Sequence, residues 1–268
     1  MRTGVAVAAF SLVLLMLASR LRAPDNRPQS TWQDRTTGMQ FVLINPGTFV
    51  MGSPPGEAGR EAQETQHTVT LTRPFYMGRF EVTQAEWMRV MGRNPSHFQD
   101  CGSRCPVERV SFDDIVHFLE RLNDLSEPGF RLPTEAEWEY ACRADGTRPF
   151  GAHASLSSRD ANINGGFPYN AAPDTFRERT MPVGQFGANP WGLFDMAGNV
   201  WEWTEDWHCP YGDNAATDPH GRCDSEFHVI RGGSWLFDGN SARCGLRYTH
   251  RPQDSGYSLG LRLVHDVS

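Results

Sequence analysis

The chain has 268 residues and a net charge of −7 at pH 7. Its 39% hydrophobic content, with 26 glycines, 18 prolines and 8 tryptophans, is typical of a globular protein with many turns and much aromatic packing. This composition argues against a helical bundle or a disordered chain. The acidic balance and the lack of a basic run argue against a nucleic-acid partner or an anionic membrane surface, because both need a basic field.

Residues 1–23 have the pattern of an export signal. Arg2 precedes an apolar run over residues 4–18, which is short for a transmembrane helix but suits the apolar region of a secretory signal. Arg20 and Arg22 make a poor small-residue cleavage site, so an uncleaved signal anchor is the alternative. We expect an exported protein, periplasmic or secreted, whose membrane contact is limited to this segment.

The six cysteines predict three disulfides, because an exported chain meets an oxidising compartment. Two pairs enclose short or polar loops rich in turn-forming residues, and the third pair follows by elimination. The expected pairs are Cys101–Cys105, Cys209–Cys223 and Cys142–Cys244.

The folded domain is expected to span residues 38–266, after a polar linker over residues 24–37. Residues 38–53 alternate apolar and turn-forming types, which predicts a β-hairpin with an Asn-Pro-Gly turn at residues 45–47. Residues 67–82 are rich in β-branched and aromatic types and predict further extended structure.

Three helices are predicted next, because a Ser or Thr is followed three positions later by an acidic residue at each expected helix start. This spacing is the signature of a capping box. The three pairs are Thr83 with Glu86, Ser111 with Asp114, and Thr134 with Glu137. In the middle segment Ile115, Phe118, Leu119 and Leu122 share one helical face, so we expect the helices to cover a core.

Residues 146–189 show no periodicity and are dominated by Gly, Pro, Asn and Asp. Such a stretch is too long for an ordinary connection unless something else orders it, and a bound cation is the natural candidate. Short strands are predicted within residues 199–206, 228–233 and 259–264, which gives an α+β layout with much irregular chain.

Four motifs stand in order along the chain: RLPTEAEWEYACRA, GLFDMAGNVWEWTEDW, HVIRGGSW and GLRLV. Together they resemble the formylglycine-generating enzyme, or sulfatase-modifying factor, family over residues 38–264. Each motif alone would be weak evidence. The resemblance implies the family's variant of the C-type-lectin-like fold, a twisted antiparallel core with about two flanking helices and very long loops.

The resemblance also implies calcium, for which a mixture of carboxylate and carbonyl oxygens is suited. The first implied site consists of Asp195, Gly198, Val200 and Glu202. The second consists of Asn162, Ile163, Asp174 and Phe176. The alternative for the first site is a turn-forming aspartate at residue 195 and a solvated strand carboxylate at residue 202.

Members of the family that oxidise a client cysteine bind copper(I) through two cysteines after the GGS motif, since soft copper(I) prefers thiolates. The first of these positions is Phe237 in this sequence, and the second is Ala242 or Arg243. Cys244 lies one or two positions late, where strand alternation changes the face it presents. We therefore do not expect copper.

Parts of the family's pocket are retained. Trp201 and Ser234 match positions that line the active site, although packing and turn formation are equally consistent roles. With Phe237, Arg243 and Cys244 they would form a vestigial pocket. Five arginines near this region suit either a carboxylate or phosphate ligand or pairing with the chain's own acids. They are Arg231, Arg243, Arg247, Arg251 and Arg262.

A group of histidines and cysteines in the C-terminal third of the chain raises a zinc site as a further metal hypothesis. The candidate ligands are His208, Cys209, His220, Cys223 and His228. Their spacing matches none of the compact ligand pairs of zinc sites, and two exported cysteines are more often a disulfide.

These observations favour an exported, calcium-stabilised binding or regulatory module whose loop face receives a protein, peptide or small molecule. The alternative is an oxidoreductase of the formylglycine-generating enzyme family acting on a protein or peptide cysteine, or another peptide- or metabolite-modifying enzyme on the same fold. A purely structural envelope protein is a third reading.

Overall fold

The computed structural model describes residues 30–212 and 214–267. Within them lie three α-helices and twelve β-strands, which confirms the α+β prediction. The helices are α1 (Gln84–Met91), α2 (Phe112–Leu125) and α3 (Glu135–Arg143). The strands are β1 (Thr31–Gln33), β2 (Gln40–Ile44), β3 (Gly47–Met51), β4 (His67–Leu71), β5 (Phe75–Gly78), β6 (Phe130–Arg131), β7 (Trp201–Trp207), β8 (Ala216–Thr217), β9 (His228–Arg231), β10 (Tyr248–His250), β11 (Leu259–Leu261) and β12 (Val264–Asp266). The predicted signal or anchor, residues 1–23, lies outside the described residues.

Each helix begins at the predicted cap. The side chains of Thr83, Ser111 and Thr134 accept a hydrogen bond from the backbone N–H three residues on, and the acidic side chain there accepts one from the cap backbone. Such a cap stabilises a helix by about 1 kcal/mol. All three capping-box predictions are therefore confirmed.

A five-stranded antiparallel sheet has the order β1-β2-β5-β12-β6. Its first strand corrects the predicted domain boundary. Thr31 pairs with Val42, so the end of the expected polar linker is an edge strand and the fold begins near residue 31, not residue 38. The few apolar residues of this strand did not distinguish it from a linker, although Trp32 packs against the core.

The predicted hairpin over residues 38–53 is wrong. Strand β2 pairs with β1 and β5, whereas β3 pairs with β4 in a separate three-stranded sheet that also contains β8. The chain crosses between sheets at Gly47, where an added Cβ would lie 2.1 Å from the Tyr140 hydroxyl. A side chain at residue 47 would therefore require the Tyr140 ring of α3 to shift.

A four-stranded sheet, in the order β10-β9-β7-β11, carries the tryptophans of β7 into the main core. Trp201 and Trp203 are almost fully buried there, together with side chains of α1 and α2. Trp87 of α1 stacks on Phe118 of α2 with ring centroids 4.6 Å apart. The helices therefore cover a core, as their apolar spacing predicted.

Between α3 and β7, residues 144–200 contain no helix or strand. Isolated bridges such as Leu156 with Tyr169 and Asn164 with Phe176 hold this long segment together. It also has a small hydrophobic cluster of its own, which includes Phe150 and Ile163. Apolar burial thus contributes to its order, and the ordering cation stays a prediction.

The three disulfides form as the sequence predicts. Cys142, on α3, joins Cys244 across a separation of 102 residues, and both are buried. No helix in the described part of the chain has the length and apolar character needed to cross a membrane.

Candidate functional site

Phe237, to which the resemblance assigns the position of the first copper ligand, belongs to an aromatic cluster. Its ring lies edge-on to that of Trp201, with centroids 5.5 Å apart and an angle of 79° between the ring planes. The ring of Tyr248 stacks on that of Trp201, with ring centroids 5.3 Å apart and ring planes at 23° to each other. Tyr248 is 43% exposed, so the cluster reaches the surface. We call Trp201, Phe237 and Tyr248 the aromatic face.

The aromatic face continues into a second group of rings. The backbone N–H of Trp201 donates to the Ser258 carbonyl oxygen at 2.8 Å, next to Tyr257, which is 47% exposed. Trp235 donates its indole N–H to the Tyr257 carbonyl oxygen and packs edge-on to Phe98. Two groups of rings, each with a partly exposed tyrosine, therefore lie beside Trp201.

Ser234 follows a Gly-Gly turn and is fully buried. Its hydroxyl accepts a hydrogen bond from the Leu236 backbone at 3.4 Å. At Gly233, φ is 72° and an added Cβ would lie 2.9 Å from Ala242, so only glycine fits. Ser234 has the turn-forming role that was one of its two predicted roles.

Cys244 carries no thiol. It is fully buried in its disulfide with Cys142, and all six cysteines of the sequence are paired. A two-thiolate copper site needs sulfur at Phe237 and at Ala242 or Arg243, and none of these three side chains carries sulfur. The residues present therefore do not fit copper(I).

Arg243, expected in the vestigial pocket, lies instead inside an ionic cluster. Its Nη1 and Nη2 donate to the two oxygens of Glu64 at 2.7 and 2.9 Å, and Nη1 also donates to Glu57 at 2.8 Å. Burial raises the pKa of Glu64, but hydrogen bonds from Arg243 and Ser53 outweigh this and hold it below its usual value. The guanidinium is therefore committed to the chain's own acids.

Arg231 and Arg247 are likewise buried in ion pairs. Arg231 contacts Glu139 at 2.7 Å, and Arg247 contacts Glu135 at 2.6 Å. Only Arg251 among the five predicted arginines is exposed, where it pairs with Glu226. The structure therefore shows these arginines paired with the chain's own acids, rather than free to bind a carboxylate or phosphate ligand.

The first implied calcium site does not fit a cation as composed. Both oxygens of Glu202 are engaged, one by Arg262 at 2.7 Å and the other by the Trp138 indole N–H at 2.6 Å. A guanidinium thus lies where a cation would bind this carboxylate. Asp195 accepts a hydrogen bond from Gly184, and burial raises the pKa of Asp195 to about 6.

Glu81 adds a carboxylate to this buried network that the sequence did not single out. It accepts hydrogen bonds from the side chain of Asn199 and the backbone of Val200. Burial, and then the charges of Asp195 and Glu202, raise the pKa of Glu81 well above its usual value. Nothing near Glu81 in the sequence marks it, because the network forms only when distant segments meet.

The second implied calcium site is better suited to a cation. The Oδ1 of Asn162 is buried and has no hydrogen-bond partner among the described atoms, while its Nδ2 donates to Asn199. The bridge between Asn164 and Phe176 brings the two halves of the implied site together. Asp174 is held by Arg159 at 2.7 Å, so it would have to exchange that partner for a cation.

The zinc hypothesis is not supported by the geometry. Cys209 and Cys223 form a disulfide, and His228 is sandwiched between Phe112 and Trp207 with ring centroids 3.7 and 3.9 Å away. Burial lowers the pKa of His228 to about 4. Within residues 30–212 and 214–267, no three His, Cys, Asp or Glu side chains group as metal ligands.

Comparison with known proteins identifies the family. Residues 27–267 match the sulfatase-modifying factor enzyme 1-like domain. The chain is 34% identical to the formylglycine-generating enzyme of Bos taurus over 287 residues, which cover 85% of this chain and 75% of the relative. It is 29% identical to the chaperone protein LppX of Paenibacillus barcinonensis over 279 residues, which cover 88% of this chain and 92% of the relative.

Among solved structures, the Treponema denticola variable protein 1 superposes with a TM-score of 0.75 at 25% identity. The match covers 89% of this chain and 99% of that one. The relatives therefore share a scaffold although their names describe different functions. The chain belongs to the sulfatase-modifying factor, or formylglycine-generating enzyme-like, family and has its loop-rich, C-type-lectin-like α+β fold.

Proposed function

We propose that the protein is an exported, calcium-stabilised binding or regulatory module of this family, without copper-dependent formylglycine-generating activity. The single observation that carries the proposal is the packing of Phe237 on Trp201, with centroids 5.5 Å apart. A carbon side chain fills the place of a copper thiolate. With Cys244 in a disulfide, no nearby thiol compensates for it.

The aromatic face, together with the neighbouring Tyr257, is the surface we assign to the ligand. Tyr248 and Tyr257 expose 43% and 47% of their area, and each has a rigid ring with a hydroxyl. Aromatic side chains of this kind dominate the energetics of protein interfaces because they bury much area at little entropic cost. Their chemistry favours an apolar or aromatic segment of a protein or peptide.

Calcium is proposed at the second implied site only. The unpaired Oδ1 of Asn162 supports this, since an unpartnered buried oxygen costs free energy that a cation would offset. The carbonyl oxygens of Ile163 and Phe176 and the carboxylate of Asp174 would complete the ligands.

Export is supported by the three disulfides, which persist in oxidising compartments. The predicted signal itself falls on residues 1–23, whose structure is not described.

The enzymatic alternative is tested by copper. The purified protein is titrated with copper(I) while oxygen uptake and aldehyde formation are followed with a peptide that carries a sulfatase-type cysteine motif. A catalytically active family relative serves as the positive control. We expect neither tight binding nor aldehyde formation, and aldehyde above the protein-free background would overturn the proposal.

Binding at the aromatic face is tested with a random peptide display library. Peptides selected by the wild-type protein should lose at least tenfold in affinity for Tyr248→Ala and Tyr257→Ala. The control is Phe227→Ala, which removes another exposed ring, 36% accessible, outside the aromatic face. Equal loss in the control, or none in the two tyrosine variants, would contradict the assignment.

A further inference from the structure

A cavity of about 360 Å³ lies beneath the loop closed by Cys209 and Cys223. The loop forms one wall, and the first turn of α3 and the end of β7 form the other. This volume is within the range of small-ligand pockets. Much of the wall is apolar, with Met51, Ala136 and Ala216 among its residues.

Asp206 lies in this cavity with no cationic partner. It is 4% exposed, and its oxygens accept hydrogen bonds from the backbones of Glu135, at 2.7 Å, and Gly221. No ion pair to it is formed by any residue in the described part of the chain, unlike the buried acids Glu135 and Glu139. An ionised carboxylate accepts about four hydrogen bonds, so Asp206 retains acceptor capacity.

The electrostatic environment of Asp206 favours a cation. Burial, and then the charge of Glu135, raise the pKa of Asp206 to about 6, against the opposing effects of the backbone hydrogen bonds from Gly221 and Glu135 and a smaller effect of His220. Arg222 and Arg247 also line the cavity. Glu135 accepts from Nε and Nη2 of Arg247 at 2.6 and 2.9 Å, whereas the buried Nη1 of that guanidinium has no hydrogen-bond partner among the described atoms. A positive group placed beside Asp206 would offset the desolvation of its carboxylate.

His67 supplies a second acceptor. Its Nδ1 lies 3.1 Å from the Thr65 carbonyl oxygen, which can only accept, so Nδ1 is the donor and a neutral ring would have its lone pair on Nε2. The ring packs against Tyr211, 4.7 Å between centroids. Both residues line the cavity. The cavity therefore combines hydrogen-bond acceptors with apolar walls.

We propose that this cavity binds an alkylammonium group, with the ammonium at Asp206 and the hydrocarbon chain against Met51, Tyr211 and Ala216. The group could belong to a small free amine or to a lysine side chain of a polypeptide. The cavity shares no lining residue with the aromatic face, and the proposal does not depend on that face. It requires neither copper nor calcium.

The test is calorimetric titration of the disulfide-intact protein at pH 7.5. The probes are n-butylamine and N-acetyl-lysine methylamide, and their neutral counterparts are n-butanol and N-acetyl-norleucine methylamide. We expect an amine to bind at least tenfold more tightly than its neutral counterpart. Binding of butylamine alone identifies a small amine as the source, and binding of the lysine derivative identifies a side chain.

Asp206→Asn should weaken amine binding at least tenfold, because it removes the charge and retains the size of the side chain. Asp124→Asn, which removes the same charge from an exposed position on α2, is the matched control and should leave affinity unchanged. Ala216→Leu should also weaken binding by filling the cavity without altering Asp206. Binding of neither amine, or equal affinity in wild type and both cavity variants, would overturn the proposal.

Discussion

The ring of Phe237 lies edge-on to the indole of Trp201, 5.5 Å between centroids, at the position that the family resemblance assigns to a copper thiolate. The second ligand position is no better, since Ala242 is fully buried and Cys244 is bonded to Cys142. A single sulfur atom therefore could not rebuild the site.

We predict that Phe237→Cys gains one thiol that reacts with a thiol reagent but still forms no aldehyde on a sulfatase-type peptide with copper(I). The reason is that copper(I) in this chemistry needs two protein thiolates. Thiol titration and mass spectrometry of the peptide measure the two outcomes. Aldehyde formation by this variant would show that the scaffold needs only one cysteine.

The Cys142–Cys244 disulfide should contribute more to stability than Cys101–Cys105. Their separations of 102 and 4 residues correspond to about 4.7 and about 2 kcal/mol in the chain-entropy model. Cys142→Ala/Cys244→Ala should thus lose about 3 kcal/mol more than Cys101→Ala/Cys105→Ala in urea unfolding. Similar losses in the two double variants would contradict this ranking.

Arg243→Met should lower the free energy of unfolding by about 3–5 kcal/mol, because it leaves the buried acids Glu57 and Glu64 without their cation. Arg251→Met is the control, since the exposed pair with Glu226 is worth about 0–1 kcal/mol. Chemical denaturation of both variants measures the contrast. A small effect at Arg243 would mean that the acids find other partners.

Glu64 should make stability depend on pH. Its folded pKa is lowered, so its contribution is present above its unfolded pKa of about 4.5 and is lost as pH falls through the folded pKa. Glu64→Gln should therefore be less stable than wild type at pH 7, and the difference should shrink below pH of about 4. Melting temperatures at several pH values measure it. A constant difference would exclude the Glu64 carboxylate as the cause.

Calcium should bind with a stoichiometry of one ion per chain. The second implied site offers the unpaired Oδ1 of Asn162, whereas Glu202 of the first is paired with Arg262. Titration after chelation should saturate at one equivalent and raise the melting temperature by several degrees, and Asn162→Ala should weaken it. Two equivalents would show that calcium displaces Arg262, and none would remove calcium from the proposal.

Features that depend on neighbouring residues were predictable from the sequence. A capping box needs only residues three apart, so the starts of α1, α2 and α3 followed from Thr83, Ser111 and Thr134. Six cysteines allow fifteen pairings, but two pairs enclose short polar loops, so the third pair followed by elimination. That residue 237 is not a cysteine is also read directly from the sequence.

Features that depend on distant segments were not predictable in this way. The hairpin failed because β2 and β3 join different sheets, a choice made by long-range pairing with β5 and β4. The roles of Glu202 and Arg243 were equally non-local, since their partners Arg262 and Glu64 lie 60 and 179 residues away.

The sequence alone thus predicted the family, the helix caps and the disulfides, because each depends on residue identity, short spacing or elimination. Only the tertiary structure decided which acids receive an arginine and which do not. Burial makes an unpaired charge costly, so Glu64, Glu135 and Glu202 have arginine partners. Within the described part of the chain, the Asp206 carboxylate accepts hydrogen bonds only from backbone N–H groups and lines a cavity. This could not be predicted from the sequence, because α3 and the Cys209–Cys223 loop come together around Asp206 only in the folded chain.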